Sequence, residues 1–282
     1  MRSWSEGRFE RHLNNTLVQF KGNRSDLLVG FNSQFDIKKQ DAVFVPWGSQ
    51  YAMERDISYL GFATHMPNWY RDGWAEMRLR QLAEEGFFNQ FDRILVAGHS
   101  MGGYMALVAA RLIPNAKVVA FSPQTTMDQN VVEFEERFGR ANRLDWSQVA
   151  SDAAHVIGSL GQVTVFADPR HRDDTLHAKR LSGDAVQIMN CYGAGHSTFL
   201  YLNRMGVAQK LMDDLFEGPL DNSAFYQAYR NRRFMDWHRN SLMDWAEKTG
   251  RTAWVEGIQA AQKSLVQPDD ALPLNRAGKD FL

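Results

Sequence analysis

RILVAGHSMGGYMALVAARLI runs from Arg93 to Ile113. It opens as an apolar run, turns through glycines around one serine, and continues in small residues at helical spacing. The apolar run reads as a buried strand, and the segment after it as a helix ended near Pro114. The corner between them falls on Ser100. A structural account makes it a small-residue turn that lets a helix pack close to a sheet. A chemical account makes Ser100 a presented hydroxyl. The pattern on either side decides between them.

The chain alternates short apolar runs with amphipathic segments up to about Gly218, which predicts a mostly parallel α/β sheet flanked by helices. Strands are expected at Thr16–Phe20 and Leu27–Phe31, joined by the turn KGNRSD, and at Ile57–Thr64, Arg93–Ala97, Lys117–Phe121, Val163–Phe166 and Ala185–Asn190. Ala42–Pro46 is a further apolar run. Helices are expected over GWAEMRLRQLAEEG with a glycine stop at Gly86, over Met101–Ile113, over Asp174–Leu181, and as one long helix over Thr198–Phe216. Residues 124–160 read as a helical excursion between two strands. After FEGPLDN the texture changes, and residues 223–282 read as helices throughout, punctuated by Gly250 and Pro268. We therefore divide the chain into an α/β domain, 1–218, and an all-helical C-terminal extension, 219–282.

The 282 residues carry 32 Lys and Arg against 33 Asp and Glu, a net charge of -1. That balance speaks against a nucleic-acid partner, which needs a concentrated basic face. Nothing approaches the roughly 20 apolar residues of a membrane span, so no membrane span is expected. The opening MRSWSEGRFERHLNN has no signal-peptide core, and a soluble cytoplasmic protein is the expectation. Cys191 is the single cysteine, which excludes an intrachain disulfide and a cysteine-based metal cage.

Gly98–Gly102, GHSMG, fits the G-x-S-x-G elbow. A strand that becomes a helix within about one residue strains the serine, and side chains at Gly98 and Gly102 would strike neighbouring backbone. The hydroxyl gained stands at a helix N-terminus, where free amides favour an anion. The Met101 N–H is placed to receive the oxyanion of a tetrahedral intermediate. A base is expected downstream. His196, in IMNCYGAGHSTFLY, follows a strand and a glycine-loosened loop. His99 should point away from Ser100 and support the elbow, and His171 and His177 are read as surface or supporting residues. For the acid, QVTVFADPRHRDD offers Asp168, Asp173 and Asp174. Asp168 leaves the strand directly and is preferred, with Asp173 the alternative; Asp173 and Asp174 are explained equally well by the start of the next helix, where carboxylates are favourable.

The order Ser100, Asp168, His196 and the segment GHSMGGYMAL resemble the α/β-hydrolase superfamily over about residues 16–216. DLLVGFNSQ is similar to its first central strand and oxyanion loop, although Val29-Gly30 stands where His-Gly is customary. The resemblance implies that the Phe31 N–H is the second oxyanion donor, with Asn32 close behind. FATHMPNWYRDG and FADPRHRDDTLHA resemble bacterial serine hydrolases associated with surface polysaccharides and accessory secretion systems. That implies an acyl or acetyl ester, on a glycan or a small molecule, as substrate, with Trp69 and Tyr70 as candidate lining residues. AEKTGRTAWVEGIQAAQKSLVQPDDA resembles a tetratricopeptide-type hairpin, too short to form a solenoid alone. Such a tail either packs on the first domain or meets a second copy or a protein partner.

The expected activity is that of a serine esterase needing no metal or organic cofactor. An alcohol in place of water would make it an acyltransferase. The rival readings are a non-catalytic interaction protein on the same scaffold, and a lyase or haloperoxidase-like use of the fold.

Overall fold

The computed structural model describes residues 7–264, apart from 14, 23, 35, 37–45 and 149. Most of the Ala42–Pro46 run and the segment after Ser264 lie outside the described residues.

Strands β1 (Arg8–Leu13), β2 (Thr16–Lys21), β3 (Asp26–Phe31), β4 (Ser58–Thr64), β5 (Arg93–His99), β6 (Lys117–Phe121), β7 (Gln162–Ala167) and β8 (Val186–Asn190) form one sheet. Its order is β1-β2-β4-β3-β5-β6-β7-β8. β2 is antiparallel to both β1 and β4, and every later pairing is parallel. The central strands read as near-continuous apolar runs because both faces of the sheet are covered. Leu27, Val29 and Phe31 enter one core, while Leu28 enters the other with Leu95 and Ala97. This is the period of two expected of a strand. β1 gives no such signal. Its RFERHL is polar, as suits a strand at the sheet's edge. β2 and β3 follow each other in sequence but are not neighbours, since β4 lies between them.

Helices α1 (Ser49–Glu54), α2 (Trp74–Glu84) and α3 (Met101–Ala109) follow β3, β4 and β5. α2 and α3 pack on the first core and α1 on the second. The excursion between β6 and β7 is present, but it is not the helical segment expected over 124–160. Among its described residues it holds only a short 3-10 turn (Ala141–Arg143), helix α4 (Ala153–Val156) and a second 3-10 turn (Ile157–Ser159). Side chains there bond to nearby backbone in place of a helix ladder: Asp128 accepts from Asn130 N–H, Glu135 from Arg137 N–H, and Asp145 from Ser147 N–H. α5 (Arg172–Arg180) follows β7. The long helix expected over Thr198–Phe216 is two, α6 (Thr198–Arg204) and α7 (Ala208–Glu217), separated at Gly206, which takes a left-handed φ of 74°.

Past Gly218 come α8 (Asn222–Tyr229), a 3-10 turn (Arg230–Phe234), α9 (Asp236–Lys248) and α10 (Thr252–Ser264). Phe225, Tyr229 and Met235 enter the second core. Beyond them burial thins, and Ala246 is the one buried residue of α9. No described helix is long and apolar enough to cross a membrane.

Candidate active site

Ser100 sits between β5 and α3 at φ 54° and ψ -118°, a conformation that a non-glycine residue holds only where its surroundings enforce it. The flanking glycines show how. A Cβ on Gly98 would lie 2.3 Å from the Gly102 backbone, and one on Gly102 would lie 2.3 Å from the Phe31 carbonyl oxygen. The corner thus brings α3 against the end of β3, with Met101 as the first helical residue.

Ser100 Oγ lies 2.9 Å from His196 Nε2. On the far side of the ring, Nδ1 lies 2.8 Å and 2.9 Å from the two oxygens of Asp174. The carboxylate facing His196 is therefore Asp174, in the first turn of α5, and neither Asp168 nor Asp173. Asp173 points outward to Arg172, with Arg137 3.5 Å away. Asp174 itself is wholly enclosed. Burial alone would raise its pKa, but the hydrogen bond and charge of His196, with His171 and Arg137, outweigh burial and hold the carboxyl well below its ordinary range. An ionised Asp174 accepts Nδ1–H, which leaves Nε2 free to accept from Ser100.

Asp168 does different work. One oxygen accepts from Gly193 N–H at 3.0 Å and Gly195 N–H at 2.8 Å, and the other from Arg170 N–H at 2.9 Å. It shapes the loop that delivers His196. Gly193 and Gly195 both have positive φ, so the loop requires residues that tolerate the left-handed region. His99 turns from Ser100, as expected, and its Nε2–H donates to the His196 carbonyl at 2.8 Å. Burial, aided by the neighbouring His196, pushes His99 down to about 4, so at neutral pH it is an uncharged donor.

Sequence reasoning missed a second layer supplied by the excursion. Arg137 donates to Asp174 at 2.8 Å and pairs with Glu135 through two nitrogens. His177, expected at the surface or in support of the site, is buried, and its Nδ1 accepts from Thr125 N–H at 3.1 Å while its Nε2–H faces Glu135 at 3.2 Å. Burial would raise Glu135, but hydrogen bonds from His177 and Arg137 hold it down to about 2. Arg137 also lies 3.4 Å from His196 Nδ1. In the tautomer that Asp174 favours both atoms are donors, so that approach is a contact and not a hydrogen bond. The signal available in the sequence was the density of charged residues around Glu135–Arg137, which a solvated helix would explain equally well.

The oxyanion side departs from expectation at β3. Asn32 N–H donates to the Phe62 carbonyl at 3.2 Å, and Ser33 N–H to Asp36 at 2.6 Å. Phe31, the last residue of β3, stands in ladder register with Phe62 on one side and Gly98 on the other. Trp69 and Tyr70 are both buried, at 1% and 3% exposure, so neither presents an open face. The Tyr70 hydroxyl donates to Asn32 Oδ1 at 2.6 Å and braces the end of β3. Trp69 Nε1–H donates to Gln124 Oε1 at 3.3 Å, and the Gln124 amide reaches Ser100. Among the described residues no group of three His, Cys, Asp or Glu side chains is placed to hold a metal ion. Cys191 is buried, and burial pushes its thiol pKa up, which removes it as a nucleophile at neutral pH.

No protein-family model matches the chain, and no curated protein matches it. Solved structures do. A Staphylococcus aureus protein of unknown function is 10% identical, over 74% of this chain and 97% of that one, with a TM-score of 0.51. Est1E from Butyrivibrio proteoclasticus is 12% identical over 74% and 98%, with a TM-score of 0.50. The capsule O-acetyltransferase of Neisseria meningitidis serogroup A is 11% identical over 74% and 94%, at 0.48. At these identities the likeness to the first two is one of fold. A mostly parallel sheet in this strand order, with a strained G-x-S-x-G serine between its central strand and the following helix, has the α/β-hydrolase fold, and that is the fold of this chain.

Proposed function

We propose that this chain is a serine hydrolase that cleaves an ester through an acyl-enzyme on Ser100. The observation that carries the reading is the hydrogen-bonded line from Ser100 Oγ through His196 to Asp174, with links of 2.9 Å and 2.8 Å. In this reading His196 Nε2 takes the Ser100 proton as Oγ bonds to the ester carbonyl carbon. The carbonyl π electrons move to its oxygen, and the Met101 N–H at the start of α3 receives that charge. Asp174 stabilises the imidazolium and keeps the ring in register. His196 then returns the proton to the departing alkoxide. Water repeats the sequence and releases the acid, while an alcohol in place of water would make the same apparatus an acyltransferase. The reading replaces Asp168 with Asp174 as the acid.

A small acyl group suits a serine that is 4% exposed. An acetyl ester on a glycan is the substrate class we put first, on the resemblance of the Phe62–Gly73 and Phe166–Ala178 segments to polysaccharide-associated hydrolases. Labelling by a fluorophosphonate probe tests the nucleophile, and turnover of p-nitrophenyl esters and acetylated sugars tests the chemistry. Ser100→Ala should abolish both, with a loss on the order of a million-fold in kcat. Turnover within tenfold of wild type in that variant refutes the reading.

A further inference from the structure

We propose that the side-chain amide of Gln124 is an oxyanion donor, acting with the Met101 N–H; the proposal rests on the hydrolase reading above. Gln124 follows β6 and is fully buried. Its amide oxygen and nitrogen both lie 3.4 Å from Ser100 Oγ. Two neighbours decide which atom serves. Ser100 has one hydroxyl hydrogen, and the nearer acceptor is His196 Nε2 at 2.9 Å. Trp69 Nε1 is only a donor, and it holds Gln124 Oε1 at 3.3 Å. The oxygen is thereby engaged by Trp69, which leaves the NH2 group as the atom that can donate beside Ser100.

The β3 loop, the usual source of the second donor, is already engaged. Asn32 N–H is bonded to Phe62 and Ser33 N–H to Asp36. Backbone direction alternates along a strand, so with Asn32 N–H turned to β4, Phe31 turns to β5, where it is in register with Gly98. Both groups belong to the sheet. The Gln124 amide is in the opposite condition. It is buried beside the reacting hydroxyl, and its contact there is long for an N–H···O bond. Such contacts in a free enzyme tighten only when charge develops. As Ser100 Oγ bonds to the ester carbon and its proton passes to His196, the carbonyl oxygen becomes anionic within reach of a donor that Trp69 has already oriented. No proton leaves Gln124. A preorganised side-chain amide in that role is worth about a hundred- to a thousandfold in kcat.

Gln124→Met removes the donor and keeps the side chain's length, and Gln124→Glu puts an acceptor-only carboxylate where the anion forms. With p-nitrophenyl acetate, both should lose about a hundredfold or more in kcat with KM within about threefold, the Glu variant losing more. Fluorophosphonate labelling of Ser100 should slow in parallel. Gln124→Met leaves the buried Trp69 N–H without this acceptor, so its melting temperature should fall, and kcat is read on the folded protein. Trp69→Phe removes the orienting N–H without touching Gln124. It should lose about tenfold in kcat, and it decides the matter if the Gln124 variants fail to fold. If the folded Gln124 variants, or Trp69→Phe in their place, keep kcat within threefold while Ser100→Ala is dead, Gln124 is not a donor and the hydrolase reading stands. If wild type takes no fluorophosphonate and turns over no ester, both proposals fall together.

Discussion

Asp174 meets His196 from the first turn of a helix, at 2.8 Å, and not from the strand end that points toward the same loop. Its carboxylate has two sets of partners. His196 takes both oxygens, and Arg137 donates to one of them. On the proposed mechanism the carboxylate must remain ionised to fix the imidazole tautomer. Asp174→Asn should therefore cost about ten-thousandfold in kcat, as in serine proteases with the equivalent change, with the fold retained. Activity within tenfold of wild type on a p-nitrophenyl ester would remove Asp174 from the mechanism.

Asp168 makes a contrasting case. Three backbone N–H groups converge on its buried carboxylate, two of them from the glycine loop before His196. Asp168→Ala leaves those donors without their acceptor, at about 1–3 kcal/mol for the buried groups left unpaired. We expect a lowered melting temperature, with a loss of activity that follows the displaced loop and is smaller than that of Asp174→Asn. The two variants, compared by thermal unfolding and by kcat, separate loop-shaping from imidazole orientation. An Asp168→Ala protein with unchanged melting temperature would contradict this account.

These two carboxylates mark where sequence legibility stops. The strands could be read because burial on both faces leaves an apolar run, and Ser100 and His196 because each follows a strand and a glycine. The acid could not. Asp173 and Asp174 are adjacent, both suit a helix start, and only the roll of α5 decides that one faces Arg172 and the other His196. Asp168 follows its strand as a catalytic acid would, but the loop it holds closes 25 residues later, at Gly193. The excursion failed for a related reason. Its charges look like a solvated helix face, whereas Glu135 and His177 are buried against each other. Gln124 left no sequence signal, because a buried amide differs from an exposed one only in its surroundings.

Three histidines give the fold a definite pH dependence. Burial pushes His99 and His238 down to about 4, and it lowers His177 despite the pull of Glu135. Each folded pKa lies below the ordinary 6.5. Below that pH the unfolded chain binds protons that the folded chain refuses, so stability falls as pH falls from 6.5 toward 4. Each such group contributes at most about 1.4 kcal/mol per pH unit in that window. Melting temperature should hold between pH 7 and 8 and drop steadily toward pH 4.5. His99→Gln keeps an N–H for the His196 carbonyl and removes the titration, so it should flatten part of that drop. An unchanged slope would exclude His99 as a source.

The C-terminal helices should divide in their effect on stability at the point where burial thins. Phe225, Tyr229 and Met235 enter the second core, and the Tyr229 hydroxyl donates to the Tyr192 carbonyl in the loop that leads to His196. Asn190 N–H donates to the Tyr226 hydroxyl. His238 bonds to Tyr201 at 2.7 Å and stands so close over Gly193 that a Cβ there would lie 2.9 Å from its ring. Beyond α9, the ring contacts among the described residues are with the tail's own side chains, such as Trp245 with Trp254 at 5.7 Å, and Trp254 is 45% exposed. Removing the chain after Gly250 should leave melting temperature and turnover nearly unchanged. Removing it after Leu220 uncovers apolar surface under Phe225, Tyr229 and Met235. At about 1.5–3 kcal/mol for each large buried side chain, that loss is a large part of an ordinary domain's stability. The shorter protein should melt far lower or aggregate, and any folded fraction should lose activity through the Tyr192–His196 loop. If it stays monomeric with an unchanged melting temperature, the tail is not part of the folded core. If instead it keeps its stability and a dimer becomes a monomer, these rings serve assembly.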